Sequence, residues 1–141
     1  MPSDQASVPW RIHFFQRDVS DDPAEAVPAR DFLECLPENL RAKFEAVLKA
    51  AAAAPPPKFR GGGKWKAMHG DMSGFYQIGI QGKGMNHRLV CLLHRPADDN
   101  IEPSIVCLGG FSKRRRSAAR PRDYRRMRDY RDEFWRTGNV M

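Results

Sequence analysis

"GFYQIGIQGKGMNHRLVCLLHRPADDNIEPSIVCLGGF", residues 74–111, decides how this chain folds. "GFYQIGIQG" alternates apolar and polar side chains with a period of two. "NHRLVCLLHR" and "PSIVCLGGF" are short apolar runs rich in β-branched residues. That is the pattern of half-buried and buried strands. "GKGMN" (82–86) supplies glycines for positive φ angles between the first two runs, and "PADDNIE" (96–102) is a polar turn between the second and third. Consecutive strands joined by short polar loops pair most simply as an antiparallel meander.

Working outward, "KWKAMHG" (64–70) starts the sheet, and "WRIHFFQRD" (10–18) reads as a first strand. "VSDDPAEAVP" (19–28) is a turn-rich link. "ARDFLECLPENLRAKFEAVLKAAAAA" (29–54) is helical in two parts, because Pro37 suits the first residue of a new helix. The first part buries Phe32, Leu33 and Leu36. The second lines up Leu40, Phe44, Val47, Leu48 and Ala51 at helical spacing, and Pro55–Pro57 end it. A last helix opens at Pro121 and closes before Gly138, with Tyr124, Met127, Tyr130 and Phe134 on one face. The order is strand, two helices, three principal strands, helix. It predicts an α+β fold: a small antiparallel sheet, made of the N-terminal strand plus a three-stranded meander, packed on a helical pair with a C-terminal helix.

The 141 residues suit one domain, expected over 10–141 with residues 1–9 disordered. No stretch approaches the roughly 20 apolar residues that span a bilayer, so no membrane partner is expected. "MPSDQASVPW" lacks the basic start and apolar centre of a secretory signal. Cys35, Cys91 and Cys107 lie in apolar surroundings, as free buried thiols of a cytoplasmic protein do. There is no CxxC or HExxH spacing, so neither His69 with Asp71 nor any other group predicts a metal. No cofactor is expected either. "GGGK" (61–64) lacks P-loop spacing and reads as a connector.

The net charge of +7 is one-sided. Phe111–Thr137 holds eleven basic and four acidic residues, and the remainder of the chain is balanced. A localised positive field attracts polyanions. Within it, "FSKRRRSAARPRDY" (111–124) joins the last strand to the last helix.

Three strings together resemble the RelE/ParE toxin superfamily, in particular its HigB-like and phage-derived toxin-like branch. They are "LPENLRAKFEAVL" (36–48), "KWKAMHGDMSGFYQIGI" (64–80) followed by "HRLVCLL" (87–93), and "VCLGGFSKRRR" (106–116) followed by "PRDY" (121–124). The resemblance covers roughly residues 10–137 by element order. It implies the toxin of a type II toxin–antitoxin system, acting as a metal-independent mRNA endoribonuclease, ribosome-dependent or free, that inhibits translation, with mRNA and the ribosome as partners. It also implies a cognate antitoxin, expected to be a helix-turn-helix protein from an adjacent gene. A ParE-like inhibitor of DNA gyrase, or a non-catalytic nucleic-acid-binding protein, are the alternatives within the same fold.

Metal-free RNA cleavage needs cations on the developing phosphorane charge, a base for the 2′-hydroxyl and an acid for the 5′-oxygen. Arg88 matches the position where RelE-like toxins place a catalytic arginine. Lys113 and Arg114 match the family's phosphate-stabilising pair at a strand end, and Tyr124 a family tyrosine that stacks or transfers a proton. Tyr124 also starts the apolar stripe of the last helix. His87, beside Arg88, is the candidate base, with His69 a second. Arg115, Arg116, Arg120, Arg122, Lys64 and Lys66 are expected to bind nucleic acid. The chain departs from RelE-like enzymes at Gln77 and Gly79, where they carry two lysines. Trp65, Met68, Phe75 and Tyr76 read as packing residues, with a base-stacking platform as the alternative.

Overall fold

In the computed structural model, which describes residues 8–141, a five-stranded sheet separates two layers of helix. The strands are β1 (Arg11–Phe14), β2 (Trp65–Ala67), β3 (Phe75–Gly82), β4 (Met85–His94) and β5 (Ser104–Arg114), in the order β1-β5-β4-β3-β2. The helices are α1 (Pro28–Glu34), α2 (Glu38–Ala53) and α3 (Pro121–Thr137). The α+β class and the meander β2-β3-β4-β5 follow the sequence pattern. The disorder expected over residues 1–9 falls mostly outside the described residues; Val8 and Pro9 have no regular structure.

One pairing differs from a wholly antiparallel sheet. β1 runs parallel to β5, with Arg11 opposite Ser104 and Phe14 opposite Cys107. Proximity in sequence governs only consecutive strands. β1 and β5 are separated by α1, α2 and three strands, and so long a crossover permits parallel pairing. The β3–β4 hairpin is also tighter than 82–86. Gly82 and Met85 pair, leaving Lys83 and Gly84 as a two-residue turn with φ of 51° and 78°. Two positive φ values are the type I′ geometry that matches strand twist.

One face of the sheet packs on α1 and α2. Leu33, Leu40, Phe44, Leu48 and Ala51 meet Ile78, Ile80, Leu89, Cys91 and Ile105. The other face packs on α3, where Met127 and Phe134 meet Phe75, Val90, Leu92, Val106, Leu108 and Phe111. Each fully buried side chain of this kind contributes about 2 kcal/mol of burial. Gly138 ends α3 in the left-handed conformation, and its N–H donates to the carbonyl of Phe134.

Strand alternation is interrupted once. Val90 pairs with Gly109 but Cys91 pairs with Cys107, so Leu108 is an extra residue in β5. This bulge resets which face the rest of β5 presents. Gly109 and Gly110 accommodate both helical layers there. A Cβ on Gly109 would lie 3.0 Å from Met127, and one on Gly110 only 2.3 Å from the Phe32 ring. Cys91 and Cys107 are buried side by side, whereas Cys35 is exposed, contrary to the sequence expectation. Cys35 caps the short α1, and the turn that buries Leu33 leaves position 35 facing outward.

Candidate nucleic-acid interface

β2, β3 and β4 extend past α3, and the face they leave uncovered carries a concavity of about 160 Å³. It is lined by Gly63, Lys64, Lys66, Gln77, Gly79, Gln81, Asn86 and Arg88. Residues paired across a sheet share a face. Lys66 lies opposite Gln77, Gly79 opposite Arg88, and Gln81 opposite Asn86.

The glycine run sets the cations. Gly61, Gly62 and Gly63 have φ of 54°, 60° and 85°, a tight turn closed to most side chains. Its end is tied to β3 where the Gly79 N–H donates to the carbonyl of Lys64 at 3.1 Å. Lys64 and Lys66 are thereby held beside Arg88. The run acts as a connector that positions lysines.

Arg88 is half-buried. Its Nη1 donates to Gln77 Oε1 at 2.9 Å, while its Nε is buried and has no hydrogen-bond partner. A buried guanidinium nitrogen left unpaired is costly, and an oxyanion is the group that its fork fits best. Gly79 leaves the floor open, since a Cβ there would meet nothing within 4 Å. Gln77 and Gly79 bring no charge to the concavity, and its cations besides Arg88 come from Lys64, just before β2, and Lys66 within it.

His87 does not join Arg88. Neighbouring residues of a strand point to opposite faces, and His87 lies on the α2 side, in a groove with Leu40, Lys43 and Met85. Its Nδ1 is 2.7 Å from Ser112 Oγ, and burial lowers its pKa below the ordinary imidazole range. Adjacency in sequence suggested cooperation; the strand period forbids it. His69 is exposed on the turn before β3. Among the described residues no group of three or more His, Cys, Asp or Glu side chains is placed to hold a metal ion.

Lys113 and Arg114 also diverge. Lys113 pairs with Asn86, on the Arg88 face, whereas Arg114 pairs with Met85, on the His87 face. Both reach a second hollow of about 250 Å³ at the strand end, with Ser112, Ser117, Arg120 and Asp123. The Lys113 ammonium donates to the Ser117 carbonyl at 2.5 Å. Arg115, Arg116 and Arg122 are exposed. Tyr124 packs edge-to-face on Phe111 with ring centroids 5.8 Å apart, so the packing role of this residue is realised. Trp65, Met68 and Phe75 are buried, and Trp65 stacks on Tyr76 at 5.1 Å, which leaves no open stacking platform among these four. Sequence reading missed Gln81 and Asn86. Only the β3–β4 register, fixed by the two-residue turn, brings them to the rim.

No family model and no curated protein matches the chain by sequence. Among solved structures it is similar to a chain of the RelBE2 toxin–antitoxin complex of Mycobacterium tuberculosis, with 19% identity over 75% of this chain and 100% of that chain, and a TM-score of 0.45. No residue role is carried over at that level. No helix of the described residues is long and apolar enough to cross a membrane.

Proposed function

We propose that the protein is the toxin of a type II toxin–antitoxin pair, and that it cleaves mRNA in the concavity beneath Arg88. The supporting observation is the buried, unpartnered Nε of Arg88 in a hollow that also holds Lys64 and Lys66. A scissile phosphate seated there meets the guanidinium fork and two ammonium groups. As the ribose 2′-hydroxyl attacks phosphorus, charge grows on the non-bridging oxygens, and these fixed cations stabilise it by several kcal/mol. A lysine ammonium can also protonate the departing 5′-oxygen, and the proton of the 2′-hydroxyl passes to solvent water. Lys113, Arg114 and Arg120 at the strand end, with exposed Arg115, Arg116 and Arg122, would hold flanking phosphates. A cognate antitoxin, expected from an adjacent gene, would neutralise the protein, and the ribosome would present the message.

One observation favours a second reading. The side chains lining the concavity include no imidazole and no carboxylate, so none is an ordinary general base. Gyrase inhibition in the manner of ParE-like proteins needs no acid–base pair. Inducible expression in a bacterial host separates the two. The ribonuclease reading expects growth arrest that Arg88→Ala relieves, without a DNA-damage response. Arrest accompanied by that response, with transcripts intact, selects the gyrase reading.

A further inference from the structure

β3 outruns β2. Their pairing ends where Trp65 meets Ile78, and Ile80, Gln81 and Gly82 have no strand on their outer side. A hollow of about 350 Å³ opens at this edge. Lys43 of α2 and Gly62 and Gly63 of the glycine turn line it, with Gly79 and Gln81 of β3. It continues into the Arg88 concavity, because Gly63, Lys64, Gly79 and Gln81 line both. It also runs into the groove of about 450 Å³ that holds His87, with which it shares Lys43 and Gln81. The three hollows form one path. It starts at Arg88, passes the edge of β3 and ends on the α2 face, between the start of α2 and the β3–β4 turn.

The path is lined by Lys43, Lys64, Lys66, Lys83 and Arg88, and by no Asp or Glu. None of these five cations is in a salt bridge among the described residues. All five belong to the part of the chain whose charge is balanced in sequence, so it is folding that gathers them. The path is also unobstructed where it bends. A Cβ on Gly62 or Gly79 would meet nothing within 4 Å. Its far end changes character. Pro37, Leu40 and Met85 give that groove mostly apolar walls. Its size falls in the range of roughly 300–1,000 Å³ usual for pockets that enclose a small ligand. Such walls suit a flat ring better than a phosphate. Single-stranded RNA carries both chemistries, a chain of phosphates and unstacked rings that seek apolar contact. A stiff duplex cannot turn around a sheet edge.

We infer that the RNA strand whose phosphate lies beneath Arg88 continues over Gly79 and Gly62, sets a further phosphate against Lys43, and seats one unstacked nucleobase between Leu40 and Met85. This rests on the ribonuclease reading above for the phosphate at Arg88. It adds a recognition site on the opposite face of the sheet, which holds a base remote from the cut.

The probe is a 2′-O-methyl hexauridylate with 4-thiouridine placed at each position in turn. It offers no free 2′-hydroxyl, so binding is read without cleavage. Irradiation should crosslink one position of the probe to Met85, to His87 or within residues 37–43. An abasic residue at that position should weaken binding at least threefold. Lys43→Glu should weaken the hexamer at least fivefold but a dinucleotide, too short to leave the concavity, less than twofold. Met85→Glu, with an unchanged melting profile, should remove the groove crosslink. Crosslinks confined to residues 111–124, equal loss for hexamer and dinucleotide in Lys43→Glu, or no loss from the abasic residue would overturn the inference. A dimer in sedimentation that Met85→Glu dissociates would give the groove to a second copy, and would overturn it too. Arg88→Ala should weaken hexamer and dinucleotide alike. If it weakens neither, the reading of the Arg88 site fails and the inference with it. Binding that depends on Arg88 without any groove crosslink overturns the inference alone.

Discussion

At Arg88 one guanidinium nitrogen bonds Gln77 and another is buried without a protein partner. One residue away, His87 faces the opposite side of the sheet. The two therefore answer to different tests. His87→Gln should leave growth arrest intact. It should also alter the pH dependence of stability. Burial lowers the folded-state pKa of His87, so the unfolded chain binds its proton more readily. Its contribution is full above the ordinary value near 6.5 and is lost as pH falls from there toward the folded pKa. Denaturant melts of wild type and His87→Gln should diverge in that window, with the variant losing less stability on acidification. Identical profiles would show that His87 is solvated. At this scale the sequence made the cation candidates legible: Lys64, Lys66 and Arg88 do meet. It left their neighbours illegible, since Gln81 and Asn86 carry no signal until the register is known.

At the scale of elements, the strand and helix pattern carried most of the fold. Apolar alternation located β3, β4 and β5, and Pro121 with Gly138 bounded α3. What periodicity could not show was the bulge at Leu108, which places Lys113 on the Arg88 face and Arg114 on the other. "GG" at 109–110 was its only trace, and a glycine pair does not by itself distinguish a bulge from a turn. The structure makes the two kinds of glycine unequal. Gly110→Ala should cost about 1–3 kcal/mol in chemical denaturation, because its Cβ would collide with the Phe32 ring. Gly79→Ala, with open space around it, should change stability by no more than about 0.5 kcal/mol. Equal effects at both sites would contradict the packing described.

Across the whole molecule two long-range features stand out. The first ties the chain's ends together. Arg17 Nε donates to both oxygens of buried Glu133 at 3.1 and 3.2 Å, and the Asp18 N–H donates to the same carboxylate at 2.9 Å. Removing one partner of a buried pair strands the other. Glu133→Ala should cost about 3 kcal/mol and lower Tm by roughly 10 °C in calorimetry. No local pattern announces this contact, because Arg17, in the loop after β1, and Glu133, in α3, lie far apart in the sequence. The second feature was legible at once: the charge excess of residues 111–137. If that surface holds phosphates, Arg114, Arg115 and Arg116 together changed to alanine should reduce the salt slope of single-stranded RNA binding by about 2. An unchanged slope would remove these arginines from the interface.

The central claim is that RNA is cut at the Arg88 concavity, and mapping of transcript ends after expression tests it most directly. Wild-type protein should generate new ends bearing 5′-hydroxyl and 2′,3′-cyclic phosphate groups, the products of 2′-hydroxyl attack. Arg88→Ala, at equal protein level and with an unchanged melting profile, should reduce them at least 100-fold. New ends that persist undiminished in Arg88→Ala, or arrest by the wild type with no new ends, would contradict it.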